Sequence, residues 1–306
     1  MYKINLGSSN FKVPTMAVGC MRINGTDKKN AEIFLRTAIE YGANFFDHAD
    51  IYGRGECEEI FSDVLNMGSD IREKIILQTK CGIVPGKMYD FSKEHIINSV
   101  DKSLKRLKTD YVNVLLLHRP DALCEPEEVA EAFSVLKKSG KVLHFGVSNH
   151  NPMQIELLKK YLDVPIVANQ LQLSITNCTM ISNSINVNME NYSSTMRDGS
   201  VLDYSRLNDI TIQPWSPFQY GFFEGVFIDS EKFPELNKTL SEISEKYNVT
   251  KTTIAFSWLL RHPAKFQPVT GTMNVERLKD CIKATEIKLT REEWYEIYKS
   301  AGNKLP

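Results

Sequence analysis

The sequence predicts an α/β fold: a single (β/α)8 TIM barrel over residues 1–306, with an N-terminal β-hairpin and extra helices at the C-terminus. Short apolar segments alternate with amphipathic helical segments eight times along the chain. Most of these apolar segments are continuous, as in parallel strands that are covered on both faces. The length of 306 residues fits one such barrel, although two smaller domains remain possible on length alone.

The chain opens with a hairpin pattern. Apolar side chains alternate at Tyr2, Ile4 and Leu6, the turn residues GSSN follow, and the alternation resumes at Phe11 and Val13. Turn residues between two segments of period two are typical of a β-hairpin. We expect this hairpin to plug the bottom of the barrel.

The first βα unit combines a core strand at residues 16–21 with an amphipathic helix. Apolar residues in this helix recur at intervals of three and four, which gives one continuous stripe. Thr26 or Asp27 can cap its start, and Gly42 suits its end. The stripe consists of Ala31, Phe34, Leu35, Ala38 and Ile39.

Seven further strands follow, and they alternate with helices in the same way. They are expected at residues 44–47, 74–79, 111–117, 142–147, 167–171, 210–214 and 267–270. The intervening and terminal helices are expected at residues 58–65, 97–107, 126–139, 155–161, a short segment ending at 207, 233–247, 251–261, 275–283 and 292–298. The polar stretch 182–200 is the best candidate for a mobile loop.

Composition excludes several classes of function. A net charge of −1 provides no field to hold nucleic acid or an anionic membrane. No stretch approaches the roughly 20 apolar residues of a membrane span, and the N-terminus has no signal-peptide pattern. The six cysteines are scattered without a CxxC, which favours free thiols and a cytoplasmic location.

Four polar residues follow three successive predicted strands. Asp47 ends the second strand and Tyr52 follows one short turn later, Lys80 ends the third, and His118 ends the fourth. Active sites of such barrels form where the strands end. A lysine cation can stabilise the anion of a tyrosine that donates its proton, an aspartate can orient the lysine, and a neutral histidine can hold a substrate oxygen. The four residues therefore predict a catalytic constellation.

Each of these residues taken alone also fits a structural role. Asp47 could be a helix cap or a surface acid, and His118 could be a core histidine with satisfied hydrogen bonds. Lys80 could be a solvated strand end, and Tyr52 a loop aromatic. Their order and spacing at successive strand ends favour the catalytic interpretation.

Several motifs resemble those of the aldo-keto reductase family. Residues 46–53 (FDHADIYG) resemble its FD-x-A-x-x-YG motif, 79–80 (TK) its strand-three lysine, 115–121 (LLLHRPD) its LLH motif, and 146–149 (GVSN) its G-x-SN motif. The resemblance extends over nearly the whole chain. It is greatest to bacterial NADPH-dependent oxidoreductases that carry an SPF or SPL segment and a GTMN segment, here residues 216–218 and 271–274.

The resemblance implies an enzyme that reduces an aldehyde or ketone to an alcohol by hydride transfer from NADPH. Tyr52 would be the general acid, Lys80 and Asp47 would tune it, and His118 would orient the carbonyl. Ser148, Asn149 and Gln170 would hold the nicotinamide amide, because an amide recognises an amide through matched donors and acceptors. In this family an aromatic residue usually stacks on the nicotinamide at the end of strand seven. Trp215 stands at that position in this sequence, or is displaced from it by one residue.

The far end of the cofactor is assigned to the GTMN region. Backbone amides at a helix N-terminus suit a phosphate, and Arg277 offers a fork for a 2′-phosphate, which favours NADPH over NADH. Asp280 matches the acid expected near the adenine. Many family members carry lysine where Gly271 stands and asparagine where Cys281 stands. The full predicted cofactor set is Gly19, Met21, Arg22, Asp47, Ser148, Asn149, Gln170, Trp215, Ser216, Pro217, Phe218, Thr270, Gly271, Thr272, Asn274, Arg277 and Asp280.

Other interpretations remain open. A doubly wound dinucleotide-binding sheet would carry a GxGxxG after the first strand, and only Gly19-Cys20 stands there. A metal-dependent barrel hydrolase could use His48 and Asp50, but His48 would point away from Asp47 on a strand; no metal is expected. The third alternative is an NADPH-binding sensor or regulatory subunit with little turnover.

The sequence leaves the oligomeric state open, but it offers candidate residues for the substrate pocket. Met21, Arg22 and an aromatic run could line an apolar cleft for the carbonyl substrate. The same aromatic residues could instead pack a loop on the barrel rim. The run consists of Phe218, Tyr220, Phe222 and Phe223.

Overall fold

An eight-stranded parallel sheet forms the centre of the computed structural model, which describes residues 1–306. The strands are β1 (Lys3–Asn5), β2 (Lys12–Pro14), β3 (Ala17–Gly19), β4 (Phe45–Asp47), β5 (Ile76–Cys81), β6 (Ile83–Val84), β7 (Met88–Tyr89), β8 (Val112–Leu117), β9 (Val142–Ser148), β10 (Ile166–Gln172), β11 (Thr211–Trp215), β12 (Gln219–Tyr220), β13 (Gly225–Val226) and β14 (Val269–Thr270). The α-helices are α1 (Lys28–Glu40), α2 (Glu56–Leu65), α3 (Ser69–Arg72), α4 (Lys93–Leu107), α5 (Pro126–Lys138), α6 (Pro152–Lys159), α7 (Thr179–Ile185), α8 (Val201–Leu207), α9 (Pro234–Tyr247), α10 (Lys251–Leu260), α11 (Val275–Lys283) and α12 (Arg291–Ser300).

The sheet closes almost completely on itself. Its strands are ordered β14-β3-β4-β5-β8-β9-β10-β11, so neighbours in the sheet follow the order of the chain. Between β11 and β14, the two ends of this sheet, the backbone amide of Gln267 donates to the Ile212 carbonyl over 3.1 Å. A doubly wound sheet would reverse its strand order at a switch point, and no reversal occurs here. The prediction of a (β/α)8 barrel is confirmed.

The N-terminal hairpin β1–β2 closes the bottom of the barrel. Its apolar residues Ile4, Leu6 and Val13 share one buried cluster with Phe45 and Val167 from the barrel strands. Gly7 makes the close approach possible, because it has a φ of +56° and a Cβ there would lie 2.3 Å from the Val167 carbonyl oxygen. The predicted plug is therefore present.

The first helix follows its sequence signals. The Asp27 side chain accepts a hydrogen bond from the Asn30 amide over 3.0 Å, which caps α1. Gly42 follows the helix at a φ of +78°. Of the two candidate caps, Asp27 and not Thr26 therefore caps the helix.

Residues 182–200 differ from the expected continuous loop. The stretch begins inside helix α7, and a 3-10 turn covers Tyr192–Ser194. Met180 and Ile181 of α7 are buried in a cluster that also contains Trp258 and Tyr298. Two apolar side chains just before the polar stretch therefore anchor its first turns. None of the helices has the length and apolar character needed to cross a membrane.

Candidate active site

The strand ends bring the four predicted catalytic residues together. Asp47 is the last residue of β4, Lys80 lies near the end of β5, and His118 directly follows β8. Tyr52 begins a 3-10 turn in which Gly53 has a φ of +56°, a value that favours glycine. The conformation of this turn carries the phenol back towards Lys80.

The ammonium of Lys80 is completely buried and uses all three of its donors. Its Nζ donates to Asp47 Oδ2 over 2.8 Å, to the His48 carbonyl over 2.8 Å and to Tyr52 Oη over 3.1 Å. Burial alone would lower the pKa of Lys80, but Asp47 and Tyr52 outweigh that effect and raise it. The lysine is therefore a fixed cation under the tyrosine.

The direction of the Lys80–Tyr52 hydrogen bond leaves the phenolic hydrogen free. An ammonium has no lone pair, so Tyr52 Oη must be the acceptor in this bond. Burial raises the pKa of Tyr52, while the charge of Lys80 opposes the shift. Tyr52 thus keeps its proton at neutral pH and lies on the wall of a cavity.

His118 is held in its neutral form. Burial lowers its pKa well below the usual value, and the charges of Lys80 and Arg119 act in the same direction. Its ring packs edge-on against Tyr52 with 5.9 Å between centroids. A neutral imidazole beside a protonated phenol can share one substrate oxygen with it.

Glutamines inside the barrel support Asp47 from below. Gln78 Nε2 donates to Asp47 Oδ1 over 2.6 Å, and Gln170 Nε2 donates to the same atom over 3.1 Å. Gln78 and Gln213 exchange hydrogen bonds, and Gln213 donates to Gln267. Gln267 in turn donates to the Pro14 carbonyl of the hairpin over 2.6 Å. Amide hydrogen bonds therefore connect the plug to the Asp47 carboxylate.

One cavity of about 1150 Å³ opens above Tyr52 and His118. Every predicted cofactor residue except Thr270 lines it, and so do Asp47, Tyr52 and His118. Lys80 lies beneath the cavity wall, under Tyr52. Thr270 is fully buried, and its hydroxyl accepts a hydrogen bond from the Cys281 thiol.

The proposed amide end of the cavity has a connected set of polar groups. Ser148 Oγ donates to the Gln170 carbonyl over 3.0 Å, and Asn149 Nδ2 donates to Ser148 Oγ over 2.7 Å. Trp215 Nε1 donates to Asn149 Oδ1 over 3.2 Å. Because Gln170 Nε2 donates to both Asp47 Oδ1 and Gln213 Oε1, the oxygen of its side-chain amide is the group left to bind a ligand.

The opposite end of the cavity is rich in arginine. Arg22 Nη1 donates to the Gly271 carbonyl over 3.1 Å, and a Cβ on Gly271 would lie 2.6 Å from that nitrogen. Asn274 caps helix α11 by accepting from the Arg277 amide over 3.0 Å. Burial raises the pKa of Asp280, which lies on the same wall. The helix N-terminus and two arginines make this end electropositive.

The aromatic run is divided between the cavity and the rim. Phe218, Phe222 and Phe223 line the cavity. Tyr220 does not; its ring packs against Phe233, with 5.2 Å between centroids. Tyr220 therefore belongs to the loop packing that was the alternative interpretation of this run.

Comparison with known proteins identifies the family. The model of the Aldo/keto reductase family matches residues 15–301. The chain belongs to the aldo/keto reductase family. It is an oxidoreductase, as its strand-end motifs indicate, and the family acts on small carbonyl substrates.

Relatives of this aldo/keto reductase cover nearly its full length. The uncharacterized oxidoreductase YcsN of Bacillus subtilis is 37% identical over 302 residues, which cover 94% of each chain. The 6-dehydroglucose reductase of Agrobacterium fabrum is 33% identical over 313 residues and 97% of each chain. A crystal structure of the thermostable aldo-keto reductase Tm1743 with the inhibitor epalrestat has a TM-score of 0.78 at 27% identity, covering 98% of this chain and 100% of that one.

Sequence reasoning missed some residues around the site of this aldo/keto reductase. Gln78 lies in β5, Gln213 lies in β11 and Gln267 shortly precedes β14. A glutamine within or beside a buried strand was the available signal. Lys251 and Asp229 also line the cavity and form an ion pair with each other. They lie far apart in the sequence, so no local pattern pairs them.

His48 is separated from the cavity. Its ring packs edge-on against Phe61 with 4.5 Å between centroids, and neither ring nitrogen has a hydrogen-bond partner. Burial lowers its pKa to about 3. The neutral ring is a packing element on the helix side of β4, while Asp47 faces the barrel interior.

Proposed function

We propose that this aldo/keto reductase uses NADPH to reduce an aldehyde or ketone to an alcohol, with Tyr52 as the general acid. The observation that carries the proposal is the hydrogen bond from Lys80 to Tyr52 at the floor of the cavity. It presents a protonated phenol whose anion would be stabilised by a buried cation. His118 is placed to share the substrate oxygen.

The cavity residues fit a dinucleotide phosphate. Arg22 fills the space over Gly271, where many family members carry lysine, so a cation is retained at this point of the groove. Arg277 lies at the N-terminus of α11, where a 2′-phosphate would gain a bidentate partner. Thr272 and Asn274 would complete this end, and Asp280 would approach the adenine.

The remaining cofactor residues suit a nicotinamide. Ser148, Asn149 and the oxygen of Gln170 would hold its amide, and Trp215 would stack on its ring. Gly19, Met21 and the segment 216–218 would form the surrounding walls, with Thr270 behind them. When bound, NADPH supplies the hydride that reaches the carbonyl carbon.

The protein then controls the proton. Tyr52 and His118 bind the carbonyl oxygen and hold it in one orientation. As negative charge grows on that oxygen, Tyr52 transfers its proton, and Lys80 offsets the charge that the phenol acquires. Asp47 keeps Lys80 charged and in place. These interactions strengthen in the transition state, so they raise turnover rather than affinity.

We also propose that residues 1–306 form a single domain in the cytoplasm. The family match over residues 15–301 and the packing of the hairpin into the barrel support one domain. All six cysteines are free thiols, which fits a reducing compartment.

A screen for NADPH oxidation with aldehydes, ketones, quinones and sugars, run beside Tyr52→Phe, tests the function. We expect the variant to bind NADPH about as tightly as the wild type and to lose about 10²–10⁴-fold in kcat. NADPH binding is measured by fluorescence titration. A variant that keeps most of the rate would refute the role of Tyr52. A wild type that binds NADPH and reduces no carbonyl would favour a sensor instead.

A further inference from the structure

Arg119 is a cation on the cavity wall beside the catalytic residues. It directly follows His118, and both side chains line the cavity. Its guanidinium lies 5.8 Å from the centroid of the Trp215 ring, near the outer limit of about 6 Å for a cation–π contact. It forms no ion pair and no hydrogen bond within the protein. The five donors of its guanidinium are thus available to a ligand.

Two carboxylates near Arg119 already have partners: Asp121, which is two residues further along the chain, and Asp47, which lies in the proposed catalytic centre. Asp121 accepts hydrogen bonds from the amides of Phe91 and Leu123 over 3.0 and 2.9 Å. Asp47 is paired with Lys80. Neither acid neutralises Arg119, so the charge of the guanidinium is left for whatever enters the cavity.

The cavity wall beside Arg119 is aromatic, because Phe222 and Phe223 pack on the Trp215 ring that faces the guanidinium. Ile51 and Ile83 line the same cavity. Such walls reduce the screening of a charge by water, so an anion bound there would interact more strongly than on an open surface. The planar fork of arginine matches the two oxygens of a carboxylate.

We propose that Arg119 determines substrate specificity by binding a carboxylate on the substrate, so that this enzyme prefers carbonyl compounds that also carry an acid group. The proposal rests on the proposed function, because it places the carbonyl at Tyr52 and His118. The apolar walls would hold the segment between the carbonyl and the carboxylate.

A matched pair of aldehydes tests the preference: 4-carboxybenzaldehyde, which is anionic at pH 7, and its neutral methyl ester. The wild type should have a higher kcat/KM for the acid. Arg119→Met should lower the acid-to-ester ratio of kcat/KM by about 10- to 100-fold, the range expected for a charged hydrogen bond. The loss should appear mainly in KM, and Arg119→Lys should restore part of the ratio. The charge of Arg119 also lowers the pKa of His118, so its removal could change the rate with both aldehydes. The acid-to-ester ratio is used because such a common effect cancels in it.

Arg291→Met is the matched control, because Arg291 is exposed at the start of α12 and does not line the cavity. It removes the same charge from the protein and should leave the ratio unchanged. A ratio that is equal in wild type and Arg119→Met would overturn the proposal. A wild type that favours neutral glyceraldehyde over the carboxylated aldehyde would overturn it as well.

A binding experiment separates this inference from the proposed function. Calorimetry on the NADPH-loaded protein compares 4-(hydroxymethyl)benzoate with 4-(hydroxymethyl)benzamide, neither of which can accept a hydride. The wild type should bind the benzoate at least about 10-fold more tightly, and Arg119→Met should lose that preference. If the wild type reduces neither aldehyde, the proposed function fails, and the calorimetry still decides whether Arg119 binds an anion.

Discussion

Lys80 Nζ donates a hydrogen bond to Tyr52 Oη over 3.1 Å. The direction of this bond cannot reverse while the lysine is charged, so the lysine both stabilises the phenolate and leaves the phenolic hydrogen for another acceptor. The same ammonium is fixed by Asp47 at 2.8 Å. The charge on Lys80 is therefore the property on which the proposed acid depends.

Asp47→Asn should shift the alkaline limit of activity to lower pH. Asp47 raises the pKa of Lys80 against the effect of burial, so an uncharged residue 47 should lower that pKa. Lys80 supports the proposed chemistry when it is protonated, so the alkaline limb of kcat/KM should move to lower pH. Steady-state rates between pH 6 and 10 test this, because the wild type, whose Lys80 pKa is raised, should stay active across the range, whereas the variant should lose activity towards its alkaline end. An unchanged limb would contradict the role of Asp47.

The same substitution should reduce stability. The pair stabilises the fold while Lys80 is charged, and this contribution is lost as pH rises through the raised pKa of Lys80. Breaking a buried pair typically costs about 3–5 kcal/mol. Asp63→Asn is the control, since the Asp63–Lys108 pair is 46% and 56% exposed and is worth about 0–1 kcal/mol. Urea unfolding at pH 7 compares the two; equal losses would mean that burial does not matter here.

Arg277→Met should weaken NADPH binding more than NADH binding. The guanidinium is proposed to bind the 2′-phosphate, which only NADPH carries, so removing it should cost about 10- to 100-fold in the Kd for NADPH. Fluorescence titration gives both constants, and Arg291→Met controls for the change in net charge. Equal losses for the two cofactors would exclude the 2′-phosphate role.

Gln78→Leu should disturb the Asp47 carboxylate, which is proposed to fix Lys80, from inside the barrel. Gln78 Nε2 donates to Asp47 Oδ1 over 2.6 Å and to Gln213 Oε1 over 2.9 Å. Leucine would leave buried acceptors short of donors, at a cost of about 1–3 kcal/mol. Asp47 would also be less well fixed, so kcat should fall more than KM changes.

Gln267→Leu separates stability from catalysis in this network. Gln267 lies at the hairpin end, where it bonds to Pro14 and Gln213 but not to Asp47. It should cost a similar amount in urea unfolding while affecting kcat much less than Gln78→Leu. Equal effects on kcat would mean that the glutamines act on the barrel as a whole.

The strands, and the meeting of the proposed catalytic residues at the strand ends, were predictable from the sequence because local signals define both. Apolar segments mark buried strands, and Asp47, Lys80 and His118 each interrupt the sequence where such a segment ends. The hairpin was equally accessible, because its alternation and turn residues lie within fourteen positions of one another. These features need no knowledge of distant contacts.

Features that depend on distant contacts were not predictable. Gln78 and Gln213 are 135 residues apart, and their pairing requires the barrel to close. Thr270 belongs to the predicted cofactor set, yet it is fully buried beside Cys281. The polarity of residues 182–200 suggested a loop, whereas buried Met180 and Ile181 anchor a helix at its start. Tertiary packing decided each case.

Gly146→Ala should strain the barrel beside the proposed cofactor site. A Cβ on Gly146 would lie 2.6 Å from Leu116 Cδ2 and 2.7 Å from the Ala168 carbonyl oxygen, which belongs to the adjacent strand. Backbone cannot yield as a side-chain end can, so overpacking should cost about 1–3 kcal/mol. Because Ser148 and Asn149 follow on the same strand end, NADPH binding should weaken too. Gly25→Ala is the control, since no atom lies within 4 Å of its Cβ position. Thermal unfolding with fluorescence titration of NADPH tests both variants; a Gly146→Ala protein as stable as Gly25→Ala would show that β8, β9 and β10 can separate without cost.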